Sequence, residues 1–575
     1  MSERTDSGGR QAPRRGQRVL RVVLGGLSGL LAGAAALGSA ELVSAAVRPQ
    51  SSPVVAVGGA VVDRTPASLK DYAVRHFGTN DKLVLQLGIV ALLALFAVAL
   101  GLAALRLRRT AAAGAAVFGL VGVLAALSRP DHRAADVLPS LAAAFVAAAV
   151  LMLLSARLAP AASRAVDAEE SAPVAEAESG AESAARSGEP APGGEDGEPQ
   201  GPAPEPPASS PPAFDRRGFV VAAAATAAAS AGAGVLGRAL NDRRGAAAAR
   251  SRAAVVLPRP ASPAAAVPRG AALPVDGISP FLTPADRFYR VDTALVVPRI
   301  DATTWRLRLH GLGVRREVEY TYADLLRREL IERDITLTCV SNQVGGPYAG
   351  NARWIGVRLA DLLREAGVRA PSRGGPADQL VARSVEGMTI GSPVETVLDG
   401  RDAMLALGMN GSPLPFAHGF PVRVVIPGLY GYASACKWLH ELELTTFDAY
   451  DAYWVRRGWS RRAPIKTQSR IDTPKPFATP AAGPVPVAGV AWAQHRGVDR
   501  VEVRVDGGAW HTATLAAEDT VDTWRQWRWE WDAPPGGHTL EVRATDRTGA
   551  TQTSRRTGTV PNGATGWHSV VVTVT

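Results

Sequence analysis

Four long apolar runs in the first 158 positions constrain this chain more than any other feature. They occupy 19–47, 83–105, 111–127 and 137–158. Each is close to the ~20 residues with which an α-helix crosses hydrocarbon. A helix of a soluble domain needs only one apolar stripe, so continuous apolar length bounded by charge points to lipid. Residues 1–158 are therefore expected to form an all-α transmembrane region of four helices. Arg14, Arg15, Arg18 and Arg21 precede the first run, and Arg106, Arg108 and Arg109 separate the second from the third. Both arginine clusters read as cytoplasmic, which leaves the loops near 48–82 and 128–136 outside.

Residues 159–214 change character. Pro, Ala, Gly, Ser and Glu dominate, as in Glu169-Glu170, Glu195-Asp196 and the Pro-Ala-Pro-Glu-Pro-Pro stretch at 202–207. Such a segment cannot bury enough apolar area to offset its chain entropy, so an acidic, Pro-rich disordered linker is expected. Asp215-Arg216-Arg217-Gly218-Phe219-Val220-Val221 then opens an Ala-rich run, giving a candidate fifth span over 215–237. It resembles a twin-arginine export signal, from which Asp215 and Val221 depart. The other reading is an ordinary basic flank on a fifth transmembrane helix. Both place everything downstream outside the cytoplasm. Residues 238–272, basic and rich in Pro and Ala, read as a tether.

With 63 Lys+Arg against 53 Asp+Glu the net charge is +10. The excess is dispersed and flanks apolar spans, so it orients a membrane protein rather than binding nucleic acid, for which no motif is present. The chain has 2 Cys, Cys339 and Cys436, which excludes a disulfide framework and leaves at most one bridge.

The remaining ~300 residues are enough for two domains. In 273–471 the pattern is mixed α+β. Residues 305–311 alternate as a strand, 322–328 form a short helix, 357–366 an amphipathic helix closed by Gly367, and 422–426 an apolar strand interrupted by Arg423. A β-branched strand over 335–339 puts Cys339 at a strand end, where loops build sites. From 472 to 575 short strands recur at 487–493, 501–505, 510–515, 524–531, 539–544 and 567–573, separated by turn signals. That spacing predicts an all-β, immunoglobulin-like antiparallel sandwich.

Four elements carry chemistry. The first is Phe288-Tyr289-Arg290-Val291-Asp292 with the stretch at 296–301. The second is Thr338-Cys339-Val340-Ser341-Asn342 with 352–357. The third, 409–415, leads into His418-Gly419-Phe420-Pro421-Val422-Arg423, and the last is Lys437-Trp438-Leu439. In this order and spacing, over 281–575, they resemble the sulfite oxidase family of molybdopterin enzymes. The resemblance implies a molybdopterin domain followed by a dimerisation sandwich, with molybdenum and molybdopterin as cofactors. It assigns the Cys339 thiolate to the metal, which suits a soft ligand and argues against a bridge to Cys436. It places His418, Arg423 and Lys437 on the phosphate tail of the pterin, Arg353 near the cofactor, and Arg290 beside the metal as the active-site arginine. Plainer roles compete at each position. Cys339 could be a small core thiol, Arg423 one half of a buried ion pair, His418 a loop cap and Arg290 a surface arginine.

Two departures from the family pattern bear on substrate. Arginines usual after the Cys-x-x-Asn element are replaced by Gln343-Val344-Gly345-Gly346, and Met388 stands where a tyrosine is usual. The expectation is a membrane-anchored, multi-pass oxidoreductase with an extracytoplasmic catalytic domain. It would transfer an oxygen atom to or from a small oxyanion or sulfoxide-like substrate, with an external electron carrier such as a cytochrome, as a homodimer. Reduced basicity favours a sulfoxide over sulfite. The assigned spans contain no His (His76 and His132 fall in outer loops), so they read as an anchor rather than a haem relay. The alternatives are a sulfoxide-type reductase on the same fold and a non-catalytic cofactor-binding surface module.

Overall fold

The structure, a computed structural model, describes residues 12–65, 81–129, 132–158 and 215–575. The linker expected over 159–214, and His76, lie outside the described residues. Contacts divide the chain into two compact units. One comprises 1–54, 73–124 and 135–238; the other comprises 55–72, 125–134 and 239–575.

The helices of the N-terminal half are α1 (Ala12–Val47), α2 (Pro53–Arg64), α3 (Asp81–Ala104), α4 (Arg108–Leu127), α5 (Leu138–Arg157) and α6 (Arg216–Ala253). Among the described residues five helices, within α1, α3, α4, α6 and the stretch ending in α5, are long and apolar enough to cross a membrane. Close packing in the first unit rests on small residues. Gly25, Gly29 and Gly33 recur every fourth position of α1, the spacing that lets transmembrane helices approach. A Cβ on Gly29 would stand 1.9 Å from the Ala97 carbonyl oxygen, and one on Gly101 would stand 2.2 Å from that of Gly25. At the end of α1, Arg48 donates to the buried carboxylate of Asp136 at 2.8 Å through Nε.

Two features of this half differ from the sequence reading. α2 was not anticipated, and it opens with Pro53 at its first position, where a missing N–H costs nothing. The segment read as a tether is ordered. α6 continues to Ala253 because its Ala- and Arg-rich sequence is strongly helix-forming. Arg252 then donates to the carbonyls of Leu414 (2.7 Å) and Pro413 (2.8 Å), and the Ser262 N–H donates to Leu330 at 3.2 Å.

Between residues 254 and 467, ten strands and four short α-helices precede the sandwich. The strands are β1 (Arg306–Gly311), β2 (Val318–Thr321), β3 (Leu330–Thr338), β4 (Ala349–Arg358), β5 (Gln379–Ser384), β6 (Thr389–Pro393), β7 (Met404–Met409), β8 (Ser412–Pro413), β9 (Arg423–Val425) and β10 (Leu439–Thr445). The helices are α7 (Tyr322–Leu326), α8 (Leu359–Glu365), α9 (Val394–Leu398) and α10 (Gly431–Ser434). One sheet runs β3-β4-β7-β8 with β9 on β7; the other runs β2-β1-β10-β5-β6, with β1 parallel to β10. A shared core includes Phe288, Trp354, Leu405, Phe420 and Val424. β3 is longer than the 335–339 strand expected. Its charged residues interrupt the apolar pattern but each finds a partner: Arg333 bonds Asp402 at 2.5 Å, and Asp334 lies opposite Arg353 in the ladder.

The C-terminal region has two four-stranded antiparallel sheets. β11 (Gln468–Thr473), β12 (Gly483–Trp492), β13 (Val498–Val505), β14 (His511–Thr512), β15 (Thr514–Leu515), β16 (Arg525–Ala533), β17 (Gly536–Asp546) and β18 (His568–Val574) form them. Their orders are β11-β12-β16-β15 and β14-β13-β17-β18. Alternate residues such as Val487, Val501, Trp527 and Val542 fill the space between. The expected boundary at 471/472 cuts β11, whose pairing with β12 assigns it to the sandwich. β11 was missed because polar Gln468, Ser469 and Arg470 hide its period; all are buried and bonded.

Two tests follow from this packing. Gly29→Leu should separate α1 from α3 and lower the yield of folded, detergent-extracted chain, whereas Gly88→Leu, which meets nothing within 4 Å, should be silent. Asp546 ties β17 to the chain before β11. It accepts from Thr467 (2.6 Å), Thr548 (2.6 Å) and Arg496 (2.9 Å). Burial alone would raise its pKa, but these bonds outweigh it and bring the group down to about 2. A depressed folded-state pKa stabilises above the unfolded value near 4 and is lost as pH falls through 2. Asp546→Asn should therefore cost roughly 2 kcal/mol at pH 7 in heat unfolding, with the gap closing below pH 4. A gap that stays constant down to pH 2 would refute the ionic contribution.

Candidate active site

Cys339 directly follows β3, in a tight turn. The Asn342 N–H closes it on the Cys339 carbonyl at 3.1 Å, the Cys339 N–H donates to Tyr348 at 2.9 Å, and the Asn342 side chain accepts from the Tyr348 N–H at 2.8 Å. The thiol is buried, and its Sγ lies 2.9 Å from the Ser341 hydroxyl. Burial pushes the thiol pKa up, opposed by the hydroxyl and amide of Ser341. Cys436 is also a free, buried thiol, so no bridge joins the two.

Cys339 opens onto a cavity of about 920 Å³ with its mouth included. His418, Arg423 and Lys437 line it too, so four of the six residues expected at the site converge there. They come from separate elements: the turn before β9, β9 itself, and the approach to β10. Gly419 permits this convergence. It sits at φ +108°, and a Cβ there would press within 3.1 Å of both Arg423 and Lys437. In its lining Tyr432, Trp454 and Trp459 form an aromatic wall, with ring centroids 5.7 Å (Tyr432–Trp459) and 6.3 Å (Trp454–Trp459) apart.

Arg423 is the most demanding residue of the site. It is 5% exposed, donates from Nη1 to the His418 carbonyl at 3.3 Å, and lies 4.9 Å from the Trp354 ring centroid. Its Nε–H has no hydrogen-bond partner. Burial lowers its pKa to about 10. A desolvated cation with an orphaned donor is costly unless an anion completes it. Lys437 is already paired with Asp292 at 2.5 Å. His418 Nε2 lies 2.7 Å from the Ala285 carbonyl, which can only accept, so Nε2 carries the proton. Burial, helped by the Arg423 charge, lowers its pKa to about 4. His418 is therefore neutral near pH 7 and turns a lone pair on Nδ1 away from that bond.

Two expected residues lie elsewhere. Arg353 does not line the cavity; it pairs with Asp334 (2.6 and 2.8 Å) and donates to the Ala265 carbonyl at 3.1 Å. Alternation along β4 turns it away from buried Trp354, which faces Arg423. Arg290 is exposed and outside the lining, while its neighbours Tyr289 and Asp292 are within it. The reading from sequence missed Tyr289, Asp292, Ser341, Glu386 and the aromatic wall. Tyr289, Asp292 and Ser341 stood inside the motifs that were recognised, but their partners lie far along the chain. Met388 does line the cavity, whereas the loop after Asn342 packs on the sandwich, where a Cβ on Gly345 would meet the His568 ring at 2.0 Å.

Residues 294–454 match the family described as the oxidoreductase molybdopterin binding domain. The chain is 30% identical over 303 residues to mitochondrial sulfite oxidase of Mus musculus, covering 46% of this chain and 55% of that protein. It is 32% identical over 290 residues to sulfite oxidase of Gallus gallus, covering 43% of this chain and 62% of that protein. The chain thus spans little more than half the length of the curated relatives it matches. Among solved structures, the sulfane dehydrogenase SoxCD of Paracoccus pantotrophus gives a TM-score of 0.45 at 24% identity, covering 52% of this chain and 84% of that one.

The residues present fit a molybdenum–pterin cofactor. Among the described residues no three His, Cys, Asp or Glu side chains come together as a metal cage. A metal held here would take a protein ligand from Cys339 and its remaining ligands from the cofactor. The orphaned Nε–H of Arg423 would be a donor for an anionic tail. Arg423→Met removes a desolvated cation while keeping volume. The cofactor-free chain should melt at the same or a higher temperature, while pterin content falls about tenfold or more. Unchanged pterin content with a lower melting point would show the guanidinium serving only the fold.

Proposed function

We propose that this protein, whose residues 294–454 match the oxidoreductase molybdopterin binding domain and which is similar to sulfite oxidases, is a membrane-anchored enzyme that transfers an oxygen atom at an extracytoplasmic site. One observation carries the reading: the Cys339 thiol and the partly unpaired Arg423 guanidinium share one cavity. When bound, the molybdenum cofactor supplies two-electron oxygen-atom exchange. The chain does the rest. Cys339 contributes a soft ligand, Arg423 and Lys437 hold the anionic tail, and Phe288 lines the cavity with Trp354 packed edge-on against it. An external one-electron carrier such as a cytochrome completes the cycle.

The five apolar helices serve as the anchor, with the arginine-flanked ends in the cytoplasm and the second unit outside. The C-terminal sandwich is of the immunoglobulin type and supplies dimer contacts.

The reductive direction, with a sulfoxide-like substrate, is favoured by the lining of the cavity. Its cations are Arg423, bonded to the His418 carbonyl and packed on the Trp354 ring, and Lys437, paired with Asp292; Glu386 and Met388 also line the space. A dianion such as sulfite has little to hold it there.

The test is cofactor content followed by turnover. Wild-type chain should carry about one molybdenum and one pterin, and Cys339→Ala should lose most metal while keeping pterin, because thiolate and tail sites are separate. Sulfite oxidation and sulfoxide reduction are then compared. Fast sulfite turnover would restore the oxidative reading, and a folded chain with neither metal nor pterin would leave a surface module.

A further inference from the structure

The reading above leaves unexplained how a buried thiolate is tempered. Sulfur bound to a redox metal donates electron density, and hydrogen bonds to that sulfur are a principal means by which a protein sets the metal's potential. Among the described residues the Ser341 hydroxyl is the one side-chain group bonded to Cys339 Sγ, at 2.9 Å. Its position is fixed. Ser341 is the third residue of the turn that Asn342 closes on Cys339, and Asn342 is itself pinned by the Tyr348 amide. Both Cys339 and Ser341 line the cavity.

In the free thiol either atom can donate. Once Cys339 binds a metal its sulfur has no proton, so in the bond between the two side chains the hydrogen must come from the serine oxygen. We propose that Ser341 is a positioning residue whose hydroxyl donates to the metal-bound Cys339 thiolate and holds the metal at a higher reduction potential than the bare thiolate would. The proposal rests on the cofactor reading.

The experiment is a redox titration of cofactor-loaded full-length chain in detergent, following the Mo(V) paramagnetic signal. Ser341→Ala should shift the midpoint potential to a more negative value with molybdenum content unchanged. Ser341→Thr, which keeps the hydroxyl, should return it to the wild-type value. Equal midpoints for wild type and Ser341→Ala would overturn the proposal, as would an equal shift in both variants. Loss of metal in Ser341→Ala would also overturn it, since the hydroxyl would then be holding the site together. Wild-type chain without molybdenum would fail the cofactor reading itself, a result distinguishable from all the others.

Discussion

A guanidinium taken out of water governs the architecture of the second unit. Arg423 lies in the short strand β9, opposite Ala406 in the ladder, with apolar strands on either side. Its charge is met by a carbonyl and an aromatic face, and neither neutralises it. Desolvation of that size is tolerated only where something else compensates. The surrounding choices follow from it. Trp354 offers the ring, Gly419 brings the turn close, and the Asp292–Lys437 pair keeps a second buried cation from adding uncompensated charge.

The thiol is placed by different means. β3 ends at Thr338, and a hydrogen-bonded turn carries Cys339 out of the ladder into the cavity. The two sheets and the sandwich contribute rigidity rather than chemistry. The Thr336 backbone N–H donates to the Asp522 carbonyl, and its hydroxyl accepts from the Trp524 amide, so the strand feeding Cys339 is braced by the C-terminal region. The aromatic wall is braced as well. Asp63 of α2 accepts from Tyr453, next to Trp454, and from Arg457 (3.3 Å).

Much of this was legible along the chain, and what was not has a common cause. Apolar length announces the five helices because hydrocarbon imposes a minimum that composition alone reveals. The strand before Cys339 and the alternation in the sandwich were readable because period-two patterns are local. Charged and polar strand residues were not. Asp334 and Arg470 are paired with Arg353 and Asp472, so β3 runs longer than expected and β11 forms where no strand was expected.

Sequence by itself determined the membrane-length helices, the two-cysteine economy and the order of motifs that resemble a molybdopterin domain, because each depends on residue type at short range. Tertiary structure alone decided which basic residues share the cavity. Arg353 was drawn to Asp334 across a ladder, Arg290 was left at the surface, and Lys437 met Asp292 from 145 positions away. Electrostatic pairing is set by distance in space, and no local pattern in a sequence encodes which of several arginines will be left facing an anion.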